Sequence, residues 1–310
     1  MIFSIIIPSY KSRYLGEAIN SVISQTYDDW ELIVVNDCSP ENIDTIVNPY
    51  LNDSRIRYYV NERNLGAERL CENWNRCLKL CSGDYVICMG DDDRLAPCCL
   101  EEYNKLIKKY PQVEILHAQT EIIDEHGDVC ELMEPRYEHE TALQLIYYRW
   151  AGQGRQQFIG DFCYKREPLV RRGGFYDLPF AWGSDDISAV MAATAHGIAN
   201  TEMVCFQYRK NRFSISADTN NRRKADALIL QWRWYLTYFN EYKTCTDRDA
   251  LTLSLLKEIM PPHFMFHIND MIRKDLRIGR DHVFYWLRNR KHYNTTIQNI
   301  LIQLVKSLKQ

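Results

Sequence analysis

The amino-acid sequence predicts an α/β fold in which helices flank a Rossmann-like, mostly parallel β-sheet. In the first hundred residues, four apolar runs alternate with segments whose apolar residues recur at helical spacing. Such alternation is typical of parallel strands that are joined by right-handed helical crossovers. The runs are nearly continuous and rich in β-branched residues, as expected for strands that are buried on both faces. They cover residues 3–8, 30–35, 56–60 and 85–89.

Helical periodicity fills the segments between these strands and dominates the last third of the chain. Pro97 suits the first turn of a helix that runs to residue 110, and Gly197 suits the C-terminal cap of a helix at residues 187–196. The prolines at 261 and 262 are expected to break the helical region once. The other predicted helices cover residues 12–26, 43–50, 67–80, 225–242, 247–260, 264–276, 282–290 and 295–309, and further strands are predicted at 114–123 and 204–208.

This pattern divides the chain into two parts. We predict a first domain at residues 1–218, with halves at about 1–110 and about 111–218, and a helical C-terminal region at residues 219–310. Mixed elements fill the second half of the first domain, whereas the C-terminal region is predicted to be helical throughout.

Composition and charge exclude several classes of protein. The chain has 310 residues, a formal net charge of −3 and 46% hydrophobic residues, so no overall positive field selects a nucleic-acid partner. The 11 cysteines are scattered and form no C-x-x-C pair, which favours reduced, buried thiols. The N-terminus lacks the pattern of a signal peptide, and no apolar run reaches the length of a membrane span. We therefore expect a cytoplasmic protein, and the sequence leaves its oligomeric state open.

The C-terminal segment is basic. Residues 271–310 carry nine lysines and arginines against two aspartates. This excess is either a solvated helical face or a patch that contacts anionic lipid or a phosphorylated acceptor. Peripheral contact with the inner membrane is therefore one interpretation of the C-terminus.

Polar residues follow three of the predicted strands at the point where each one ends. They are Pro8, Ser9 and Tyr10 after the first strand, Asn36 and Asp37 after the second, and Asp91, Asp92 and Asp93 after the fourth. In sheets of this type, ligands bind beyond the carboxyl ends of the strands. The sequence therefore predicts a nucleotide-type site at this edge of the sheet.

The run of three aspartates at 91–93 is the strongest local signal. Like charges this close together repel one another unless a cation or protons neutralise them. Mn²⁺ and Mg²⁺ prefer oxygen ligands, and they bridge protein carboxylates to diphosphate oxygens. We predict that this run holds Mn²⁺ or Mg²⁺, and an acidic helix cap is the alternative.

Two further clusters carry groups that are suited to chemistry. Asp185 and Asp186 open a predicted helix, and either can act as a general base that accepts the proton of an attacking hydroxyl group. Helix capping is the alternative for this pair. Arg209 and Arg212 lie in a basic segment after a strand and could neutralise a departing diphosphate, with a solvated loop as the alternative.

Several segments, taken in their order along the chain, resemble the family-2 glycosyltransferases with the GT-A fold. The resemblance covers about residues 1–216, and the ordered set of segments is more specific than any one of them. They are residues 4–10, 21–27, 30–39, 64–66, 73–75 and 83–86, followed by the family's GGF and ED segments at 173–175 and 183–186. The resemblance implies that Asp37 contacts the nucleoside, and it places Asn64 and Asn75 in the segments that lead to the acidic strand end.

The same resemblance assigns the metal ligands and the base. Asp92 aligns with the usual metal ligand of the family's DxD motif, with Asp91 and Asp93 as helpers. Gly90 stands where the first aspartate of that motif is expected, which is a departure from the family pattern. The family's catalytic base aligns with Asp186, and Asp185 is the alternative.

The resemblance implies an inverting glycosyltransferase. It would move one sugar from a nucleotide-diphosphate donor, with uridine as the favoured base, to a carbohydrate or lipid-linked acceptor. The Q-x-x-R-W signature of processive synthases is missing, which favours transfer of a single sugar. Assembly of bacterial surface polysaccharide or lipopolysaccharide is the setting that analogy suggests. Two alternatives stay open at this point: a nucleotidyltransferase, and a non-catalytic protein that binds nucleotides or glycans.

Overall fold

The computed structural model describes residues 1–152, 155–211 and 219–308, and its ten strands form a single sheet. The strands are β1 (Phe3–Ser9), β2 (Trp30–Asn36), β3 (Ile56–Val60), β4 (Tyr85–Cys88), β5 (Arg94–Leu95), β6 (Ile115–Ile123), β7 (Val129–Leu132), β8 (His139–Glu140), β9 (Phe162–Lys165) and β10 (Ile198–Arg209). All six runs that the sequence predicts as strands are strands in the structure, which shows how strong the β-branched signal is in this chain.

Helices precede and follow these strands, and all of them except α5 and α6 overlap segments where the sequence predicts a helix. They are α1 (Leu15–Ile23), α2 (Ile43–Val47), α3 (Leu70–Leu78), α4 (Cys99–Lys109), α5 (Ala142–Ala151), α6 (Arg166–Arg171), α7 (Ser184–Ala193), α8 (Asn221–Glu241), α9 (Asp247–Ile278), α10 (Val283–Asn289) and α11 (Ile297–Ser307). Two predicted helices contain a turn of 3₁₀ helix, at Asn48–Tyr50 after α2 and at Ala67–Arg69 before α3. Helix ends often tighten in this way.

The sheet runs in the order β3-β2-β1-β4-β9-β6-β10-β5, with β7 beside β6 and β8 beside β10. The first four strands in this order are parallel, and Ile6 of β1 lies opposite Ile33 of β2 and Cys88 of β4. β9 runs antiparallel between β4 and β6, whereas β10 is parallel to β6. The longest pairings are therefore parallel, and the predicted α/β class with a mostly parallel sheet is confirmed. The carboxyl ends of β1, β2 and β4 meet at one edge.

The sheet separates two apolar cores, because successive side chains of a strand point to opposite faces. Ile6 and Ile33 belong to the core that includes α3, α5, α7 and the C-terminal helices. Ile5 and Leu32 belong to the core on the other face, under α1, α2 and α4. The C-terminal helices therefore share an apolar core with the α/β part of the chain. The proposed domain boundary at residue 218 lies outside the described residues.

The predicted break at Pro261 and Pro262 is wrong, because α9 continues through both prolines. Each proline removes one backbone hydrogen bond from the helix. Both proline rings are exposed, while Met260 and Phe264 on either side are buried. Burial of this stripe against α5, α8 and α11 stabilises the helix by more than the missing bonds cost.

A helix that crosses a membrane must be both long and apolar, and the helices of the described residues differ from this pattern. None of them combines the length and the apolarity that are needed to cross a bilayer.

Candidate active site

The acidic turn, which we define as residues 90–93 after β4, is tied to the loop after β1. One carboxylate oxygen of Asp91 accepts the backbone N–H groups of Tyr10 and Lys11, at N···O distances of 2.7 and 2.8 Å. Burial and the neighbouring Asp92 raise the pKa of Asp91 to about 6. The structure therefore brings Tyr10 and Asp91 together at the carboxyl edge of the sheet.

Asp93 is buried and fixes the acidic turn to β10. Its Oδ1 accepts the backbone N–H of Arg209 at 2.9 Å, and burial and Asp92 raise the pKa of Asp93 well above its usual range. The guanidinium of Arg209 is fully buried. It donates to the carboxylate of Glu17 at 2.6 Å and to the backbone carbonyls of Asp92 and Asp124 at 2.8 and 3.1 Å. Arg209 thus braces the turn from inside the protein, and its contact with a diphosphate stays a prediction.

Asp92 is half-buried and accepts a hydrogen bond from the segment that follows β10. Its Oδ2 accepts the side-chain amide of Asn211 at 2.7 Å. The next residue, Arg212, is the second arginine that the sequence predicts to contact a diphosphate, and it lies outside the described residues.

The three carboxylates of the acidic turn accept hydrogen bonds from three separate protein groups. Within residues 1–152, 155–211 and 219–308, no three histidine, cysteine, aspartate or glutamate side chains are placed to hold a metal ion together. Burial, and then the charge of Asp92, raise the pKa of Asp91 and of Asp93, and a divalent cation would offset the repulsion among the three carboxylates. A cation at this turn would therefore need further ligands from a second molecule, such as diphosphate oxygens.

Gly90 occupies a position where the acidic turn leaves no room for a side chain. A Cβ atom there would lie 2.7 Å from Oδ2 of Asp93 and 2.9 Å from Oδ1 of Asp92. A side chain at this position would therefore require the carboxylates of Asp92 and Asp93 to move from the places they occupy here. This packing gives a physical reason for the departure from the family pattern.

Asp37, directly after β2, holds a network of hydrogen bonds at the same edge of the sheet. Its buried carboxylate accepts the backbone N–H groups of Leu65 and Gly66 at 3.1 and 3.2 Å and the side-chain amide of Asn61 at 2.7 Å. The side chain of Asn64 donates to the backbone carbonyl of Asp37 at 3.0 Å. Asp37 and Asn64 are therefore brought together, and Asp37 holds the loop after β3 in place.

Pro8 and Ser9 are the last two residues of β1, next to Asp37. Pro8 is half-buried, and the hydroxyl group of the buried Ser9 has no hydrogen-bond partner among the residues that the structure describes. The backbone carbonyl of Ser9 accepts the N–H of Asp37 at 2.8 Å, so the ends of β1 and β2 are joined directly.

Asn75 contacts the GGF segment and not the network around Asp37. Its side chain exchanges two hydrogen bonds with the backbone of Phe175, with N···O distances of 2.7 and 2.9 Å. It therefore packs α3 against the GGF segment. Its neighbour Asn73 instead accepts the amide of Asn61 at 3.0 Å and so joins the network around Asp37. The sequence places both asparagines on one short helix but cannot tell which of them faces Asp37.

The second acidic pair lies in the first turn of α7, and its two carboxylates differ in environment. Asp186 accepts the guanidinium of Arg149 at 3.3 Å and the side-chain amide of Gln157. Burial and Asp186 raise the pKa of Asp185 to about 7. Asp186 therefore pairs with a cation, whereas burial and the neighbouring carboxylate raise the pKa of Asp185.

A short segment, residues 155–161, connects the second acidic pair to the acidic turn. Gln157 contacts Asp186, and the ring of Phe158 stacks on that of Tyr208, with ring centroids 3.8 Å apart. A Cβ atom on Gly160 would lie 2.5 Å from the ring of Phe206 and 3.5 Å from the Cα atom of Met89, so this glycine packs directly against the end of β4. Sequence reasoning missed Arg149 and Gln157, and the concentration of Gly, Gln and Arg around residue 155 was the available signal.

Comparison with known proteins agrees with this architecture. The sequence model of the family described as Glycosyl transferase family 2 matches residues 4–157. The UDP-Glc:alpha-D-GlcNAc-diphosphoundecaprenol beta-1,3-glucosyltransferase WfgD of Escherichia coli is 32% identical over 236 residues, which are 74% of this chain and 83% of that protein. The chain belongs to glycosyltransferase family 2. The predicted resemblance is confirmed, and the nucleotidyltransferase alternative is not supported.

Other curated proteins match the chain over shorter regions. Protein CgeD of Bacillus subtilis is 30% identical over 135 residues, which are 40% of this chain and 31% of that protein. The putative colanic acid biosynthesis glycosyl transferase WcaA of Escherichia coli K12 is 38% identical over 99 residues, which are 31% of this chain and 34% of that protein. The chain thus matches about a third of the length of these two relatives.

Solved structures of glycosyltransferases share the fold across the whole chain. TarS residues 1–349 of S. aureus in complex with UDP-GlcNAc has a TM-score of 0.66 at 18% identity, over 99% of this chain and 89% of that one. The mannosyltransferase PcManGT of Pyrobaculum calidifontis, in complex with GDP-Man and Mn²⁺, has a TM-score of 0.57 at 17% identity, over 99% and 87% of the two chains. At these identities the likeness shows the fold, and the predicted GT-A class is confirmed.

We expect Gly90→Ala to destabilise the protein by about 1 kcal/mol, because the added methyl group forces the carboxylates of Asp92 and Asp93 to move. Gly16→Ala in α1 is the matched control, since a Cβ atom there meets no atom closer than 3.9 Å. Urea unfolding at pH 7 measures both variants. Equal free energies of unfolding for Gly90→Ala and the wild type would contradict the packing of this turn.

Proposed function

We propose that this family 2 member transfers one sugar, with inversion, from a nucleotide-diphosphate donor to a carbohydrate or lipid-linked acceptor. The observation that carries the proposal is the pair of hydrogen bonds from Tyr10 and Lys11 to Asp91. These bonds set the acidic turn against the loop after β1, so that a nucleotide at the strand ends can meet both. A uridine donor is favoured, since WfgD is named for UDP-Glc and TarS is solved with UDP-GlcNAc.

Mn²⁺ or Mg²⁺ is part of this proposal. Asp92, with Asp93 beside it, would hold the ion at the acidic turn. When bound, the ion would neutralise charge on the departing diphosphate as a Lewis acid. The Mn²⁺ in the structure of PcManGT with GDP-Man is in keeping with this role. The protein's own contribution is to hold the turn rigid, through the bond from Arg209 to Asp93 and the bonds from the first loop to Asp91.

Asp186 is the proposed general base. It would accept the proton of the acceptor hydroxyl group as that oxygen forms a bond to the anomeric carbon, while the bond from this carbon to the diphosphate oxygen breaks on the opposite side. The nucleotide diphosphate leaves with the bonding electron pair, and the configuration at the anomeric carbon inverts. Arg149 and Gln157 orient the carboxylate of Asp186, which keeps 19% of its side-chain surface exposed for an acceptor.

The setting that we propose is the cytoplasmic face of the bacterial inner membrane, in the synthesis of surface polysaccharide or lipopolysaccharide. Helix α11 supports contact with that membrane, because Leu301, Val305 and Leu308 are about half exposed and recur on one face of the helix. Cationic side chains of residues 271–310 would attract anionic lipid. Flotation with anionic but not with neutral vesicles is the expected result, and flotation with neither would contradict the proposal.

We expect Asp186→Asn to lower sugar transfer by at least about a hundredfold, because the amide cannot accept the hydroxyl proton. A panel of radiolabelled nucleotide sugars with Mn²⁺ provides the assay, and nucleotide binding by calorimetry should be retained. Normal transfer by Asp186→Asn would contradict the assignment of the base. A wild-type protein that binds nucleotide sugars but neither transfers nor hydrolyses them would support the non-catalytic alternative.

Asp185→Asn is the matched control in the same turn of α7. Because the pKa of Asp185 is raised, protonation of its side chain favours the folded state. This contribution to stability is fully present at low pH and is lost as the pH rises through about 7. Relative to the wild type, the variant should therefore gain thermal stability between pH 5 and pH 8, by on the order of 2 °C. Its loss of transfer should be smaller than that of Asp186→Asn. The reverse order of the two losses would make Asp185 the base.

A further inference from the structure

A cavity of about 470 Å³ is lined by residues of α5 and α9 together with Gly152, Arg155 and Gln156. We call it the α5–α9 cavity. It has no role in the donor site described above, and its volume is in the range that holds a small organic ligand. Its lining includes Arg149, Trp150, Arg155, His263, Phe266 and His267.

The lining of the α5–α9 cavity is cationic. Arg149 and Arg155 contribute two guanidinium groups, and no acidic residue lines the cavity in the part of the chain that the structure describes. Arg155 is buried and pairs with Glu140 through two bonds of 2.9 and 3.0 Å, but its Nε has no hydrogen-bond partner among the described residues. A buried guanidinium N–H without a partner is costly, and an anionic oxygen would satisfy it.

Two histidines and an aromatic ring line the wall that α9 and α5 share. The ring of His263 stacks on Trp150 with centroids 4.9 Å apart, and His267 lies 4.7 Å from His263. Burial, His267 and Arg149 lower the pKa of His263 to about 3, and burial and Arg149 lower the pKa of His267. Both shifts favour the neutral imidazole, which can donate one hydrogen bond from its N–H group.

The cavity adjoins the proposed base. Arg149 lines it and also donates to Asp186 from Nε at 3.3 Å. Arg149 donates from Nη1 to the backbone carbonyl of Arg155 at 3.0 Å, which fixes the two arginines relative to each other. A ligand in the cavity thus lies beside the carboxylate that would activate the acceptor. The donor diphosphate would instead lie at the acidic turn, beyond the strand ends.

We propose that the α5–α9 cavity binds the diphosphate group of a lipid-linked sugar acceptor, and this inference rests on the proposed function. Nη1 and Nη2 of Arg155 are already paired with Glu140, but its Nε–H, the charge of Arg149 and the two imidazoles remain at the cavity. This spread of donors matches the several oxygens of a diphosphate better than the two oxygens of a single carboxylate. Phe266, 66% exposed at the cavity, offers an apolar surface on which the first part of a lipid chain can pack. Such an acceptor would place its sugar hydroxyl toward Asp186.

Calorimetry with a short-chain prenyl diphosphate tests the proposal without knowledge of the sugar. EDTA is present throughout, so that the probe cannot bind the acidic turn through a metal. The full-length wild-type chain should bind the probe, and saturating UDP should not displace it. Inorganic pyrophosphate should bind more weakly, because it lacks the lipid chain. Binding of pyrophosphate as tight as that of the prenyl diphosphate, or displacement of the probe by UDP, would overturn the inference.

His267→Glu places a carboxylate in the cavity and should weaken probe binding at least tenfold. Arg248→Ala, at the exposed start of α9, changes the net charge by the same single unit and should leave binding unchanged. Circular dichroism confirms that both variants fold, and His267→Gln gives a neutral second variant with a smaller loss if His267→Glu does not fold. Unchanged affinity in the folded His267 variant would overturn the inference. The proposed function fails separately, if Asp186→Asn transfers sugar normally.

Discussion

The constraint on which this structure depends is the crowding of three carboxylates at the end of a buried strand. Such a turn is stable only if each carboxylate has its own donor, and the fold supplies these donors from three directions. The loop after β1 donates to Asp91, the segment after β10 donates to Asp92, and the backbone of Arg209 donates to Asp93. Even so, burial keeps the pKa values of Asp91 and Asp93 raised. A positive charge beside the turn would therefore stabilise the ionised carboxylates. We propose that a divalent cation, bound together with a nucleotide, supplies this charge.

The second constraint is the short path between this turn and the proposed base. Residues 155–161 contact the α5–α9 cavity at Arg155, the proposed base at Gln157 and the end of β4 at Gly160. These contacts fall within seven residues of one chain segment, so they are coupled through a short stretch of backbone. Arg149 strengthens this coupling, since it bonds both Asp186 and the backbone of Arg155. Donor and acceptor groups would thus be positioned by one continuous piece of structure.

Much of this arrangement could be predicted from the sequence, because strands buried on both faces and helices with one apolar face leave clear periodicities. The polar strand ends at Tyr10, Asp37 and Asp91 follow from that pattern together with the parallel topology. Two features were out of reach. The continuity of α9 through its proline pair depends on packing partners distant in sequence, and the burial of Arg209 depends on Glu17, 192 positions away. Local patterns carry no information about such contacts.

We propose that the acidic turn binds a divalent cation together with a nucleotide diphosphate. Titration calorimetry of the full chain with UDP, in the presence of Mn²⁺ or of EDTA, tests it most directly. EDTA should weaken UDP binding at least tenfold. Asp92→Asn should weaken it to a similar degree even when Mn²⁺ is present. UDP binding that is equally tight with EDTA, and unaffected by Asp92→Asn, would contradict the account.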